Sequence, residues 1–191
     1  MEPRGQGLPR RASQTNRIDE NTPGNRIKSR KKKNKNRFNY PHPGGQRTPK
    51  LILDSNILIK LVMNETGSKE ARATIANVLK KGYMLHTVDI ALVEGLNALW
   101  KHSNILKDLK PEETNLAMDD LTRVYDGLNI IKTRELKEET IHIALTQNIT
   151  VYDSLYVAAA QKLSGTLYTA DQKLCTTAKK IVTSKLLKTK A

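Results

Sequence analysis

Four acidic residues, Asp54, Glu94, Asp153 and Asp171, stand singly in apolar or helix-opening stretches of the sequence, where a lone carboxylate is costly to bury. Three of them have a structural explanation. Asp54, Asp153 and Asp171 each stand at an expected helix start, where an aspartate accepts backbone N–H bonds. Glu94 is harder to absorb. It is the only charged residue between Ile90 and Trp100 (IALVEGLNALW), among neighbours expected to be mostly buried against a sheet. A buried carboxylate either raises its pKa or recruits a cation. Several carboxylates brought together repel one another unless protonated or neutralised, and the natural neutraliser for hard oxygen ligands is Mg²⁺ or Mn²⁺.

Bringing the four acids together requires strands that end at one edge of a sheet. Residues 50–54 (KLILD) read as a buried strand feeding a helix opened by Ser55 and Asn56, with Ile57, Leu58, Leu61 and Val62 at helical spacing. Residues 64–67 break that helix, Ser68 caps a second through Ala71, Ile75, Val78 and Leu79, and Gly82 stops it. Residues 83–87 form a second strand, and Asp89 opens an apolar helix running to about His102. Pro111 suits the first turn of a fourth helix whose buried stripe is Leu116, Leu121, Val124 and Leu128. A third strand at 129–132 precedes a helix over 134–147 with Leu136, Ile141, Ile143 and Ala144 inward, and 149–151 is strand or loop. Asp153 opens an alanine-rich helix ending near Ser164 and Gly165, 166–169 is a short strand, Asp171 opens the next helix, and 181–184 is a last strand.

Short strands alternating with helices predict an α/β domain, a three-layer α/β/α sandwich around a mainly parallel sheet. Asp54 and Asp171 then lie just beyond strands at the carboxyl edge of the sheet, where open α/β folds place their ligand crevices, and Asp153 opens a neighbouring helix.

Charge divides the 191-residue chain in two. The first fifty residues hold 14 of the 33 Lys+Arg, 3 of the 19 Asp+Glu and 6 of the 7 prolines, with 7 apolar side chains, too few for a core. Their net charge is +11, leaving +3 for residues 51–191, so the basicity needs its own explanation. The expected organisation is a basic, Pro/Gly-containing extension over 1–49 and an α/β domain over 50–191. Within 28–37 (KSRKKKNKNR), Lys28, Arg30, Lys31, Lys32, Lys33, Lys35 and Arg37 fill seven of ten positions, and Phe38 and Tyr40 follow. Cations beside stackable rings suit phosphate contact with base stacking, which makes RNA the expected partner; the plainer alternative is a disordered, solvated charge run.

One cysteine, Cys175, excludes an internal disulfide framework and cysteine-cluster zinc. No stretch is apolar enough to span a bilayer and the N-terminus lacks a secretory apolar region, so a cytoplasmic protein without a membrane partner is expected. His42, His86, His102 and His142 show no ligand spacing and read as structural or exposed. Trp100 reads as core or dimer packing, and Tyr152 and Tyr156, flanking Asp153, as substrate contacts or packing, with packing expected for at least one.

In order and spacing, LILDSNILIKLV, ALVEGLNALW, ITVYDSLYVAAAQKL and TLYTADQKL resemble the motifs of the PIN-domain ribonucleases, over residues 50 to 185. The resemblance points to the VapC-type toxins of prokaryotic, archaeal-looking VapBC toxin–antitoxin pairs. It implies that Asp54, Glu94, Asp153 and Asp171 form the family's acidic quartet, with Asn56 and Thr169 as polar supporting positions. It also implies metal-assisted hydrolysis of an RNA phosphodiester, in which carboxylates hold Mg²⁺ or Mn²⁺ and a bound water attacks phosphorus in line. Asp54 and Asp153 would be the principal ligands, Glu94 would bind the metal directly or orient water, and Asp171 would complete the site. A homodimer and an antitoxin segment occupying the acidic groove are the implied partners.

Two functions compete on these grounds. One is an endoribonuclease, toxin-like or acting on ribosomal or transfer RNA, with the basic extension strengthening RNA attachment. The other is a ribosome-associated protein without nuclease activity, anchored on ribosomal RNA by that extension. The intact quartet favours the enzyme.

Overall fold

The structure, a computed structural model, describes residues 48–189. The expected RNA-binding residues from Lys28 to Tyr40, and His42, lie outside the described residues. Strands β1 (Lys50–Leu53), β2 (Met84–Val88), β3 (Asn129–Ile131), β4 (Thr166–Thr169) and β5 (Thr183–Leu186) form one sheet in the order β3-β2-β1-β4-β5. All four pairings are parallel. Between them run α1 (Ser55–Val62), α2 (Ser68–Lys80), α3 (Ala91–Lys101), α4 (Pro111–Asp126), α5 (Lys137–Gln147), α6 (Val151–Leu163) and α7 (Gln172–Ala178).

From β1 to β3 the chain steps across the sheet one way, and from β3 to β5 it steps the other. Right-handed crossovers therefore put α1 to α4 on one face and α5 to α7 on the other. The packing agrees: α1 lies against α2, α3 and α4, α5 packs on α6, and α6 covers β1, β2 and β4. This is the expected three-layer α/β/α sandwich. β1 is the middle strand and its Leu51, Ile52 and Leu53 are all buried, as a strand covered on both faces demands. Strand order reverses beside it, so the crevice of an open α/β sheet falls at the carboxyl ends of β1 and β4.

Small residues set two close approaches. In α6, residues 154–160 (SLYVAAA) are all buried, and three consecutive alanines let the helix sit down on the sheet. Gly165, just before β4, lies so close to β1 that a Cβ there would come within 2.4 Å of Ile52 Cδ1 and 3.1 Å of the Lys50 carbonyl oxygen, and a larger residue would have to displace the Ile52 side chain. Among the described residues no helix is long and apolar enough to cross a membrane.

Several local expectations are corrected by the packing. In α4, Leu121 is buried and Val124 and Leu128 half-buried as expected, but Leu116 is exposed and Ala117 takes the inward place beside it. In α5, Thr140, Ile143 and Ala144 face inward and Ile141 faces out. Ser68 does not cap α2; it is the first helical residue, and its hydroxyl accepts from Glu65 N at 3.1 Å. Asp89 does not open α3. Its carboxylate accepts the backbone N–H and hydroxyl of Thr133, tying the end of β2 to the end of β3. Residues 149–151 are not a strand, since Val151 already begins α6, and the last strand lies two residues later than expected. Trp100 is half exposed on α3 and so is not a core residue.

Candidate active site

Asp54 directly follows β1 and stands at the N-cap position of α1, but its carboxylate caps nothing. It turns instead toward β4. Thr169 Oγ donates to Asp54 Oδ2 at 2.6 Å and Asn56 Nδ2 to the same oxygen at 3.2 Å, while Ser55 Oγ reaches Oδ1 at only 3.4 Å. Oδ2 is therefore well bound and Oδ1 weakly, leaving lone pairs for another partner. Asp54 is 3% exposed, and burial pushes its carboxyl up from 3.8 to about 6. The Thr169 and Asn56 bonds oppose that rise, and the charges of Glu94 and Asp153 add to it. These two acids thus face Asp54 from α3 and α6.

Glu94 lies half-buried in the first turn of α3, with its backbone N–H closing on the Ile90 carbonyl at 3.0 Å. Its Oε2 accepts a short hydrogen bond from the Tyr156 hydroxyl, which reaches across from α6. Tyr156 is 1% exposed, and burial together with the Asp54 and Glu94 charges drives its phenol far above the ordinary value, so it stays protonated as a donor. Asp153 is corrected from helix cap to first-turn residue. Thr150 caps α6 by accepting from Asp153 N at 3.1 Å, so Asp153 is a first-turn residue whose half-buried carboxylate makes no hydrogen bond among the described residues.

Asp171 behaves differently. It is the N-cap of α7, accepting from Lys173 N at 2.6 Å and Leu174 N at 2.9 Å through Oδ1. Its own N–H donates to Thr169 Oγ at 2.9 Å, so that one hydroxyl joins Asp171 to Asp54. The structure brings Asp54, Glu94 and Asp153 into mutual influence and attaches Asp171 to them through Thr169.

Three helix N-termini, of α1, α3 and α6, carry these acids, and their partial positive charge offsets part of the repulsion. Among the described residues no Lys, Arg or His forms an ion pair with any of the four. The donor set is all oxygen and unneutralised, which fits a hard divalent ion. As placed, no three His, Cys, Asp or Glu side chains among the described residues close on a single point. That is compatible with Mg²⁺, which keeps several waters and takes one or two protein carboxylates, the rest coming from substrate phosphate.

Tyr156 is the site residue that sequence reasoning passes over as packing. The available signal is its spacing three residues after Asp153, which sets both on one helix face. Ser55, expected as a helix-start residue, also touches the site. The three described histidines stay outside it: His86 is buried with Nε2 unpartnered, burial and then Lys50 lowering its pKa to about 4, His102 pairs with Asp108, and His142 is exposed. Cys175 is buried against Ser184, and Tyr152 is exposed.

The fold has known counterparts. Ribonuclease VapC3 of Pyrobaculum aerophilum is 31% identical over 125 residues, a match covering 65% of this chain and 92% of the relative. The structure of VapBC2 from Rickettsia felis, bound to a DNA fragment from their promoter, superposes with a TM-score of 0.55 at 16% identity, over 73% of this chain and 99% of that one. VapC20 of Mycobacterium tuberculosis, a Sarcin-Ricin loop cleaving toxin, does so with a TM-score of 0.50 at 13% identity, over 65% and 92%. At such identities the two structures show a shared fold. The PIN domain model itself matches residues 51–180, from the first core residue of β1 to the turn after α7, and the chain belongs to the PIN domain family.

Proposed function

We propose that this chain is a metal-dependent endoribonuclease, toxin-like or directed at ribosomal or transfer RNA, acting in the cytoplasm. The observation that carries the proposal is the buried Asp54 carboxyl, raised to about 6 beside Glu94 and Asp153 with no neutralising side chain among the described residues. A structural ion pair would not be built this way. Asp54 Oδ1 and the Asp153 carboxylate are the oxygens available to hold Mg²⁺ or Mn²⁺, with Glu94 beside them. Such an ion supplies charge neutralisation at the phosphate and an acidified water. Thr169 and Asn56 fix the Asp54 carboxylate by hydrogen bonding. Glu94, held through Oε2, keeps Oε1 to orient a water or accept its proton. Asp171 holds Thr169 in place and caps α7.

Residues 1–49 serve RNA attachment in this reading, supported by the cations at 28–37 and the rings of Phe38 and Tyr40. The names VapC3 and VapBC2 support a protein partner, an antitoxin, and a homodimer accompanies a toxin role. Val93, Leu96 and Trp100 form an exposed apolar row on α3 that would suit such a contact. The test is cleavage of ribosomal, transfer and messenger RNA with Mg²⁺ or Mn²⁺ by the purified chain. Asp54→Asn and Asp153→Asn are expected to abolish the activity with the fold intact, and undiminished cleavage by either variant overturns the assignment.

A further inference from the structure

The Tyr156 hydroxyl is a buried polar group in a helix otherwise built to sit on apolar strands. Its ring packs with residues 154–160 in the core, and phenylalanine would fill the same space. The hydroxyl therefore has a use other than packing. It donates to Glu94 Oε2 across the sheet edge, from the layer holding α6 to the layer holding α3.

Glu94 needs such a holder. It sits in the first turn of α3 beside exposed Val93, half open to solvent, and a glutamate so placed has three rotatable side-chain bonds to settle. Among the described residues its only hydrogen-bonded side-chain partner is Tyr156. Because Tyr156 lies one turn after Asp153, α6 delivers a carboxylate and the clamp for another carboxylate from one rigid face.

We propose that Tyr156 is a positioning residue whose hydroxyl holds Glu94 in place for divalent-ion binding, so that the ion affinity of the site depends on the Tyr156–Glu94 hydrogen bond. This rests on the reading of the site as a metal-dependent nuclease centre. The experiment is Mn²⁺ titration of the full chain, with free Mn²⁺ read by electron paramagnetic resonance, for wild type, Tyr156→Phe, Glu94→Gln and the double variant. Tyr156→Phe is expected to bind Mn²⁺ about 10- to 100-fold more weakly, the usual cost of losing a hydrogen-bond partner of a ligand. In the Glu94→Gln background the same substitution is expected to change affinity less than twofold, because the carboxylate it positions is already gone. RNA cleavage by Tyr156→Phe should lose kcat with KM little changed.

Affinity within twofold of wild type for Tyr156→Phe overturns the proposal, and so does an equal loss in both backgrounds, which would mark a packing effect. Should Tyr156→Phe fail to fold, Glu94→Asp keeps the carboxylate but withdraws it from the phenol and is expected to weaken Mn²⁺ binding at least threefold; no change counts against the clamp. Asp54→Asn separates the two levels of the argument. Wild-type Mn²⁺ affinity in that variant, or no binding by wild type, overturns the site itself and the clamp with it, whereas loss there with none in Tyr156→Phe overturns the clamp alone.

Discussion

Replacing Asp54 by asparagine should make the ion-free protein more stable at neutral pH, the opposite of what removal of a well-bonded core side chain ordinarily does. Burial outweighs the Thr169 and Asn56 bonds and raises the carboxyl from 3.8 to about 6. Below about pH 4 the group is protonated in folded and unfolded chains alike. From there to about pH 6 the folded chain keeps a proton that the unfolded chain has released, so stability falls as pH rises, and above that the full cost is present. A shift of about two units corresponds to about 3 kcal/mol, or roughly 10 °C in Tm for a domain of this size. Asparagine can still accept from Thr169 and carries no charge. Urea denaturation at pH 5, 6, 7 and 8 in EDTA should therefore show the variant gaining on wild type from pH 5 to pH 7 and no further by pH 8, where its advantage reaches up to about 3 kcal/mol. Saturating Mg²⁺ should restore much of the wild-type deficit and leave the variant unmoved. Parallel pH profiles, or a variant less stable than wild type at pH 8, would refute the claim that Asp54 is held at the expense of folding.

Two other perturbations separate local roles. Asp171→Ala should cost about 1 kcal/mol by urea denaturation, the loss of the α7 cap. Asp171→Ser can keep the cap and isolates any contribution of the carboxylate: cleavage reduced tenfold or more at unchanged stability assigns Asp171 to the chemistry, and unchanged cleavage assigns it to the fold. Removing residues 1–49 should weaken RNA binding and reduce the slope of log affinity against log salt by up to about 5 if all seven cations at 28–37 meet phosphates; fluorescence anisotropy over a salt series with equal slopes for both chains rules that attachment out.

Asp54 is legible in the sequence because an acid after three core residues, followed by Ser-Asn, has few structural uses, and Glu94 because its apolar neighbours offer it no partner. The strand–helix alternation fixes sheet class for the same reason: short apolar runs bounded by turn residues leave little choice of period. What escapes is whatever depends on rotation or on distant partners. Leu116 is misplaced because Leu116 and Ala117 both satisfy a helical period with Leu121, whose side chain fills the space left by Gly95, where a Cβ would meet it at 2.7 Å. Asp89 reads as a helix opener because Thr133, its partner, lies 44 residues away. Tyr156 reads as packing because a tyrosine among alanines and valine is apolar in pattern, and the carboxylate its hydroxyl meets lies 62 residues earlier.

Thr169 and Asp54 are joined by one hydrogen bond across 115 residues of chain. Asp54 leaves the ribosome well before Thr169, and β4, which carries Thr169, pairs with β1 only after both α5 and α6 have been made. A nascent chain can form β1, β2 and the helices between them while the carboxylate cluster still lacks the hydroxyl that orients its most buried member. Completion of the cluster is thus timed by synthesis itself, and a truncated product ending before β4 would carry three of the four acids and no finished site.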